Sequence, residues 1–173
     1  MQTLKNILKK SWVIISLLFL LDFLTKLLIL LKTPFSLSLY GNYKGIYPSF
    51  FPISEPLPFF NIILVWNNGV SFSMFSSESL IGKIILVLLS TGITAYIIHL
   101  LKQEKNKLNK VAFMLIIAGA IGNIFDRIRY GAVIDFLDFY IGSYHWPAFN
   151  LADIYICLGV GLILLNTIIT KKK

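Results

Sequence analysis

Trp12-Val-Ile-Ile-Ser-Leu-Leu-Phe-Leu-Leu-Asp22-Phe-Leu-Thr-Lys26-Leu-Leu-Ile-Leu-Leu31 is an apolar run interrupted by charge only at Asp22 and Lys26. At about 1.5 Å of rise per helical residue, about 20 such residues cross the hydrocarbon core of a bilayer. The run follows a basic amino end, as the core of a signal peptide would. It is longer than the usual 7–15 residues (about) of such a core, carries charges and lacks a small-x-small cleavage site, so a retained helix is expected. Composition extends this reading to the whole chain. Of its 173 residues 57% are hydrophobic and 14% charged, against about 45–50% and about 25% in a soluble domain. An ordinary water-soluble fold is excluded.

Working outward, three more apolar runs follow, so helices are expected over about 12–31, 80–101, 111–127 and 150–169, in a single membrane domain. The net charge of +8 is not that of a nucleic-acid binder, because the lysines gather beside the apolar runs and form no recognition face. Lys5, Lys9 and Lys10, then Lys102, Lys105, Lys107 and Lys110, then Lys171, Lys172 and Lys173 mark three cytoplasmic segments. Both termini are therefore expected in the cytoplasm, and the loops 32–79 and 128–149 outside. The first of these holds five of the six prolines, which argues against helix there, while 59–66 reads as a short strand. The stretch 71–78, with Phe72, Met74 and Phe75, is expected along the membrane surface. The fold class is thus an all-α integral membrane protein with four transmembrane helices and a small β-containing extracytoplasmic loop. The single cysteine excludes an intrachain disulfide, and two histidines make no metal cluster.

Few acidic residues remain, and all five aspartates lie in or beside helices: Asp22, Asp126, Asp135, Asp138 and Asp153. A charged group at the bilayer centre costs roughly 2.5–3.5 kcal/mol on insertion scales, so each needs a partner or a task. Asp22 and Lys26, four apart on one helix face, read either as an intrahelical ion pair or as part of a site. Asn123, Asp126 and Arg127 form one polar stripe, either a knot in which Arg127 pairs with a carboxylate and Asn123 bonds a neighbouring helix, or a site wall. Asp135 and Asp153 end at one depth, because the third helix runs outward and the fourth inward. Two carboxylates in a partly dry place do not both ionise comfortably, and an acid–base pair is one reading. Asp138 is the competing partner, though without a companion asparagine, whereas Asn150 stands three residues before Asp153. His145 shows no acidic or cysteine partner at ligand spacing.

At these residues the chain resembles the lipoprotein signal peptidases, or signal peptidase II. Asp22-Phe-Leu-Thr-Lys26 resembles that family's D-x-x-[ST]-K element, and Asn67-Asn-Gly69-Val-Ser-Phe72-Ser its N-x-G-x-A-F-S element. Ala118-Gly-Ala-Ile-Gly122-Asn123-Ile-Phe-Asp126-Arg127 is similar to G-G-A-x-G-N-x-x-D-R. Gly131-Ala-Val133-Ile-Asp135-Phe136 resembles G-x-V-x-D-F, and Phe149-Asn150-Leu-Ala152-Asp153 resembles F-N-x-A-D. Ala118 replaces a glycine and Ser71 an alanine, and the stretch from Lys26 to Asn67 is longer and richer in proline than the family's.

The resemblance implies that Asp135 and Asp153 are the catalytic aspartates. Asn67, Gly69, Asn123, Arg127 and Asn150 would support the substrate peptide and the pair, Asp22 and Lys26 would brace the first helix, and Asp126 would anchor Arg127. The implied activity is a membrane aspartic endopeptidase that removes the signal peptide of bacterial prolipoproteins on the amino side of the S-diacylglyceryl-cysteine. It uses no metal and no cofactor. Its partners are diacylglyceryl-modified prolipoproteins and membrane lipid, with no nucleic acid, and it works as a monomer in the bacterial cytoplasmic (inner) membrane with its site near the outer face. The strand at 59–66 would pair with an extended substrate by strand addition. The rival reading is a small membrane transporter whose polar path uses the intramembrane Asp, Lys and Arg groups; four helices without an inverted repeat speak against it.

Overall fold

The computed structural model describes residues 2–33, 50–69 and 80–171. Its elements run in the order α1 (Gln2–Leu31), β1 (Phe50–Leu57), β2 (Phe60–Asn67), α2 (Leu80–Gln103), α3 (Lys107–Tyr130), β3 (Val133–Ile141), β4 (Tyr144–His145) and α4 (Leu151–Lys171). The stretches 34–49 and 71–78, including the segment expected along the membrane surface, lie outside the described residues.

Each helix has a stretch long and apolar enough to cross a membrane, and each extends beyond the apolar run that marks it, because polar turns continue the backbone ladder until a cap stops it. On α3 the ends are explicit. Asn106 accepts the N–H groups of Leu108 and Asn109 at one end, and Gly131, with φ of 75°, donates its N–H to the Arg127 carbonyl at the other.

Helix α3 is the hub, packing on α4, α2 and α1. Small residues permit the close approach: Ala112, Ala118, Gly119 and Gly122 on α3 and Ala152 and Gly159 on α4 are buried. A Cβ on Gly159 would lie 2.6 Å from the Ala112 carbonyl oxygen. By contrast α2 buries only Gly82, Thr94 and Leu101, and turns Leu88, Leu89 and Ile93 outward, as a lipid-facing helix does.

The strands form one antiparallel sheet in the order β1-β2-β3-β4. Pro52 and Pro56 fall on β1, an edge strand, where a missing N–H is tolerated. The strand expected at 59–66 is β2. Its expected role in strand addition is overturned, because β1 and β3 occupy its two edges. A bulge sets Ile62 against Leu137 but Val65 against Asp135, giving β2 one extra residue there; Ile63 and Leu64 are accordingly both buried. The sheet seats its apolar face (Leu64, Trp66, Ile134, Phe136) on Ile29 and Leu30 at the end of α1. Sheet and helix bundle therefore meet where α3 ends and α4 begins.

Candidate active site

Strand β3 starts two residues after the Gly131 cap, which puts Asp135 at the junction of bundle and sheet. Strand alternation then separates the two aspartates of β3: Val133 and Asp135 share one face, Ile134, Phe136 and Asp138 the other. Asp138 is thereby removed as a partner for Asp135. Asn67 pairs across the strands with Val133, so it is diagonal to Asp135 on the same face. Its Nδ2 donates to Asp135 Oδ2 at 2.9 Å. Asn67 Oδ1 in turn accepts the N–H of Gly69 at 2.8 Å. Gly69 has φ of 75°, which favours glycine, and a Cβ there would press on Leu86 Cδ1 at 2.8 Å and lie 3.7 Å from Arg127 Nη2.

Helix α4 opens with a reciprocal capping box. Asn150 Oδ1 accepts the Asp153 N–H at 3.0 Å, while Asp153 Oδ2 accepts the Asn150 N–H at 3.1 Å. Asn150 is wholly buried, and its two amide hydrogens go to Asp135 Oδ1 at 2.7 Å and Asn123 Oδ1 at 3.2 Å. Asn123 Nδ2 donates to Asp153 Oδ1 at 2.8 Å. Asn150, Asn123 and Asp153 thus close a ring of hydrogen bonds to which Asp135 is joined through Asn150, so two carboxamides, one from α3 and one from the cap of α4, link the two carboxylates. Asp135 is 1% exposed, and Asp153 is half-buried. Burial pushes the Asp135 carboxyl up to about 7; the hydrogen bond from Asn67 opposes this, the charge of Asp153 adds to it, and Asn150 and Lys26 again oppose it.

Behind the ring lies a second layer. Lys26 Nζ is 2.9 Å from Asp22 Oδ2, 2.8 Å from Asp126 Oδ2 and 3.3 Å from Asn123 Oδ1, and the three charged residues are almost wholly buried. Asp22 and Lys26 do form the expected intrahelical pair. The expectation that Asp126 anchors Arg127 is corrected, since Asp126 bonds Lys26 across the α1–α3 contact. Arg127 donates Nη1 to the carbonyl of Asn123 on its own helix at 3.4 Å, and its Nε is buried without a hydrogen-bond partner among the described residues. The guanidinium lies within electrostatic reach of Asp153, Asp135 and Asp126.

Two further expectations change. Asp138 does have a companion asparagine: Asn61, directly opposite on β2, donates Nδ2 to Asp138 Oδ2 at 2.9 Å. His145 does have an acidic partner, its Nδ1 lying 2.9 Å from Asp138 Oδ1. Asn61 went unnoticed because only the strand register reveals it. Gly122 is also functional in packing: a Cβ there would strike the carboxylate of Asp22.

The fold and site define a class: a four-span membrane protein with a carboxylate pair set where bundle and sheet meet. Buried charges bond one another and the ring beside that pair instead of lining a path, which removes the basis of the transporter reading. A family model described as signal peptidase (SPase) II matches residues 14–169, and the chain belongs to the signal peptidase II family. It is 48% identical over 124 residues to the lipoprotein signal peptidase of Vibrio cholerae serotype O1, covering 69% of this chain and 71% of that one. Its identity to the lipoprotein signal peptidase of Aeromonas hydrophila is 36% over 171 residues, covering 98% and 93%. A bacterial membrane enzyme solved by the in meso method at 2.3 Å resolution is similar in fold, with a TM-score of 0.69 at 27% identity over 92% of this chain and 88% of that one.

Proposed function

We propose that this signal peptidase II, an enzyme that cleaves the signal peptides of prolipoproteins, is an aspartic endopeptidase whose catalytic pair is Asp135 and Asp153. The observation that carries the reading is Asn150, one buried side chain that bonds Asp135 and caps the turn holding Asp153. Asp135, with its carboxyl raised to about 7, holds its proton far longer than an ordinary carboxyl as pH rises and is the acid. Asp153, open to water on one side and bonded by Asn123 Nδ2, is the base.

The steps follow from these roles. Asp153 takes a proton from a water molecule as its oxygen attacks the scissile carbonyl carbon, and Asp135 gives its proton to the carbonyl oxygen. The tetrahedral intermediate collapses when Asp153 returns its proton to the amide nitrogen, the C–N bond breaks, and Asp135 recovers a proton from the hydroxyl. The scissile bond is the one on the amino side of the S-diacylglyceryl-cysteine, presented near the outer surface of the bacterial inner membrane. Asn67 and Arg127 support the substrate backbone, since peptide groups at membrane depth need partners. The protein acts as a monomer on its lipid-modified substrate without metal or cofactor.

The test is cleavage of a diacylglyceryl-modified prolipoprotein by purified protein in lipid. Asp135→Asn and Asp153→Asn are each expected to lose about 10²–10⁴-fold in rate, while EDTA leaves the wild type unchanged. Folded Asp135→Asn and Asp153→Asn proteins that still cleave at the wild-type rate would remove the assignment.

A further inference from the structure

The trio of Asp22, Lys26 and Asp126 takes no part in the chemistry above, yet its bonds end beside both reacting groups. Asp22 Oδ1 accepts the backbone N–H of Ala152 at 2.9 Å, and Ala152 is the residue before Asp153. Asp126 Oδ2 accepts the backbone N–H of Ile134 at 3.3 Å, and Ile134 is the residue before Asp135. Lys26 forms ion pairs with both carboxylates through their Oδ2 atoms and donates a hydrogen bond to Asn123 Oδ1.

Tolerance of buried charge does not account for this arrangement. Asp22 and Lys26 already neutralise each other within α1, and burying a further carboxylate beside them is costly. What Asp126 adds is a hold on β3, as Asp22 adds a hold on the first turn of α4, whose N–H groups have no partner inside the helix. Glycine at 122 makes the second hold possible, because a Cβ on α3 would block the Asp22 carboxylate on its way to α4.

We propose that Asp22, Lys26 and Asp126 form a clamp that sets the two catalytic aspartates against each other, with Lys26 as the positioning residue at its centre. One carboxylate grips the chain beside Asp135, the other grips it beside Asp153, and the ammonium fixes the span between them. The same ammonium holds Asn123 Oδ1, leaving Asn123 Nδ2 aimed at Asp153. None of the three touches the substrate.

This inference rests on Asp135 and Asp153 being the catalytic pair, and its test separates the two claims. The full chain, purified in lipid, is assayed on the same prolipoprotein as Asp22→Asn, Asp126→Asn, the double variant, and Lys26→Met built on the double so that no unpaired charge is buried. Asparagine keeps an acceptor for each backbone N–H while weakening the hold of Lys26. Each single variant is expected to lose about 10- to 100-fold in kcat per folded molecule, with KM little changed and the pH profile displaced. The double is expected to lose scarcely more than the worse single, because opening a clamp at either end releases it. Losses that multiply in the double, or a wild-type kcat and pH profile in the folded variants, overturn the clamp. Should Lys26→Met fail to fold, the cycle of Asp22→Asn and Asp126→Asn decides alone. If Asp135→Asn and Asp153→Asn remain active, the catalytic assignment has failed; if they are dead while the clamp variants match wild type, only the clamp has.

Discussion

A carboxyl group with 1% of its surface exposed holds its proton more firmly than one in water, and at Asp135 the balance of burial against donated hydrogen bonds falls at about 7. The sign of the consequence follows directly. Below that pH Asp135 carries the proton that a general acid needs; above it the proton is lost. As the acid of the pair it therefore gives kcat/KM a falling alkaline limb near pH 7. Asn67 donates to Asp135 Oδ2 and so favours the charged form. Asn67→Ala removes that donor, and the limb is expected to move up by about one pH unit, the scale of a hydrogen bond to a charged group. A pH–rate series on the two proteins checks this, and a limb that stays or moves down contradicts the assignment of the proton to Asp135.

At the scale of elements, the packing of α3 on α4 decides where Asn150 and Asp153 sit. A Cβ on Gly119 would run into the carbonyl oxygen of Ala152, in the first turn of α4, and backbone there cannot retreat without moving the capping box. Gly119→Val is expected to cost about 1–3 kcal/mol, as overpacking does, and to lower activity with it. Gly92→Ala on α2 is the contrast: nothing lies within 4 Å of a Cβ there, so the helix is expected to gain the roughly 0.5–1 kcal/mol that alanine offers over glycine. Thermal unfolding of both variants in lipid measures the difference. These elements also show how far sequence reads. The four helices were legible because an apolar run of bilayer length has few other meanings, and Asp22 with Lys26 was legible because i, i+4 arithmetic is local. The partner of Asp126 was not, since sequence proximity favoured Arg127 while the α1–α3 contact delivers Lys26. Asn61 was hidden for the same reason, its link to Asp138 existing only in the register of β2 on β3. The motifs name the candidate site residues, whereas the wiring among them depends on packing.

For the whole molecule, the remaining matter is which way it faces. The sheet and the acid pair lie together at one end of the bundle, where α3 ends and α4 begins, and the α2–α3 connection lies at the other. That connection is built as a stable polar cap: Glu104 accepts the N–H groups of Lys105 and Asn106, and Asn109 Nδ2 donates to Glu104 Oε2 at 3.0 Å. These bonds, led by the one from Asn106, hold the Glu104 carboxyl below its usual range, so it stays ionised among the lysines of 102–110. Asn166 on α4 donates Nδ2 to Asn109 Oδ1 at 3.0 Å, tying the carboxyl-terminal part of α4 to the same end. With positive charge at one end and the acid pair at the other, the positive-inside rule predicts that the site faces outward. Cysteine labelling tests this without disturbing either end. In a Cys157→Ser background, Ser143→Cys reports the exposed β3–β4 turn and Lys105→Cys the exposed α2–α3 connection. A membrane-impermeant maleimide added to spheroplasts is expected to label Ser143→Cys at once and Lys105→Cys only after the membrane is permeabilised. The opposite pattern would put the acid pair in the cytoplasm and overturn the predicted orientation.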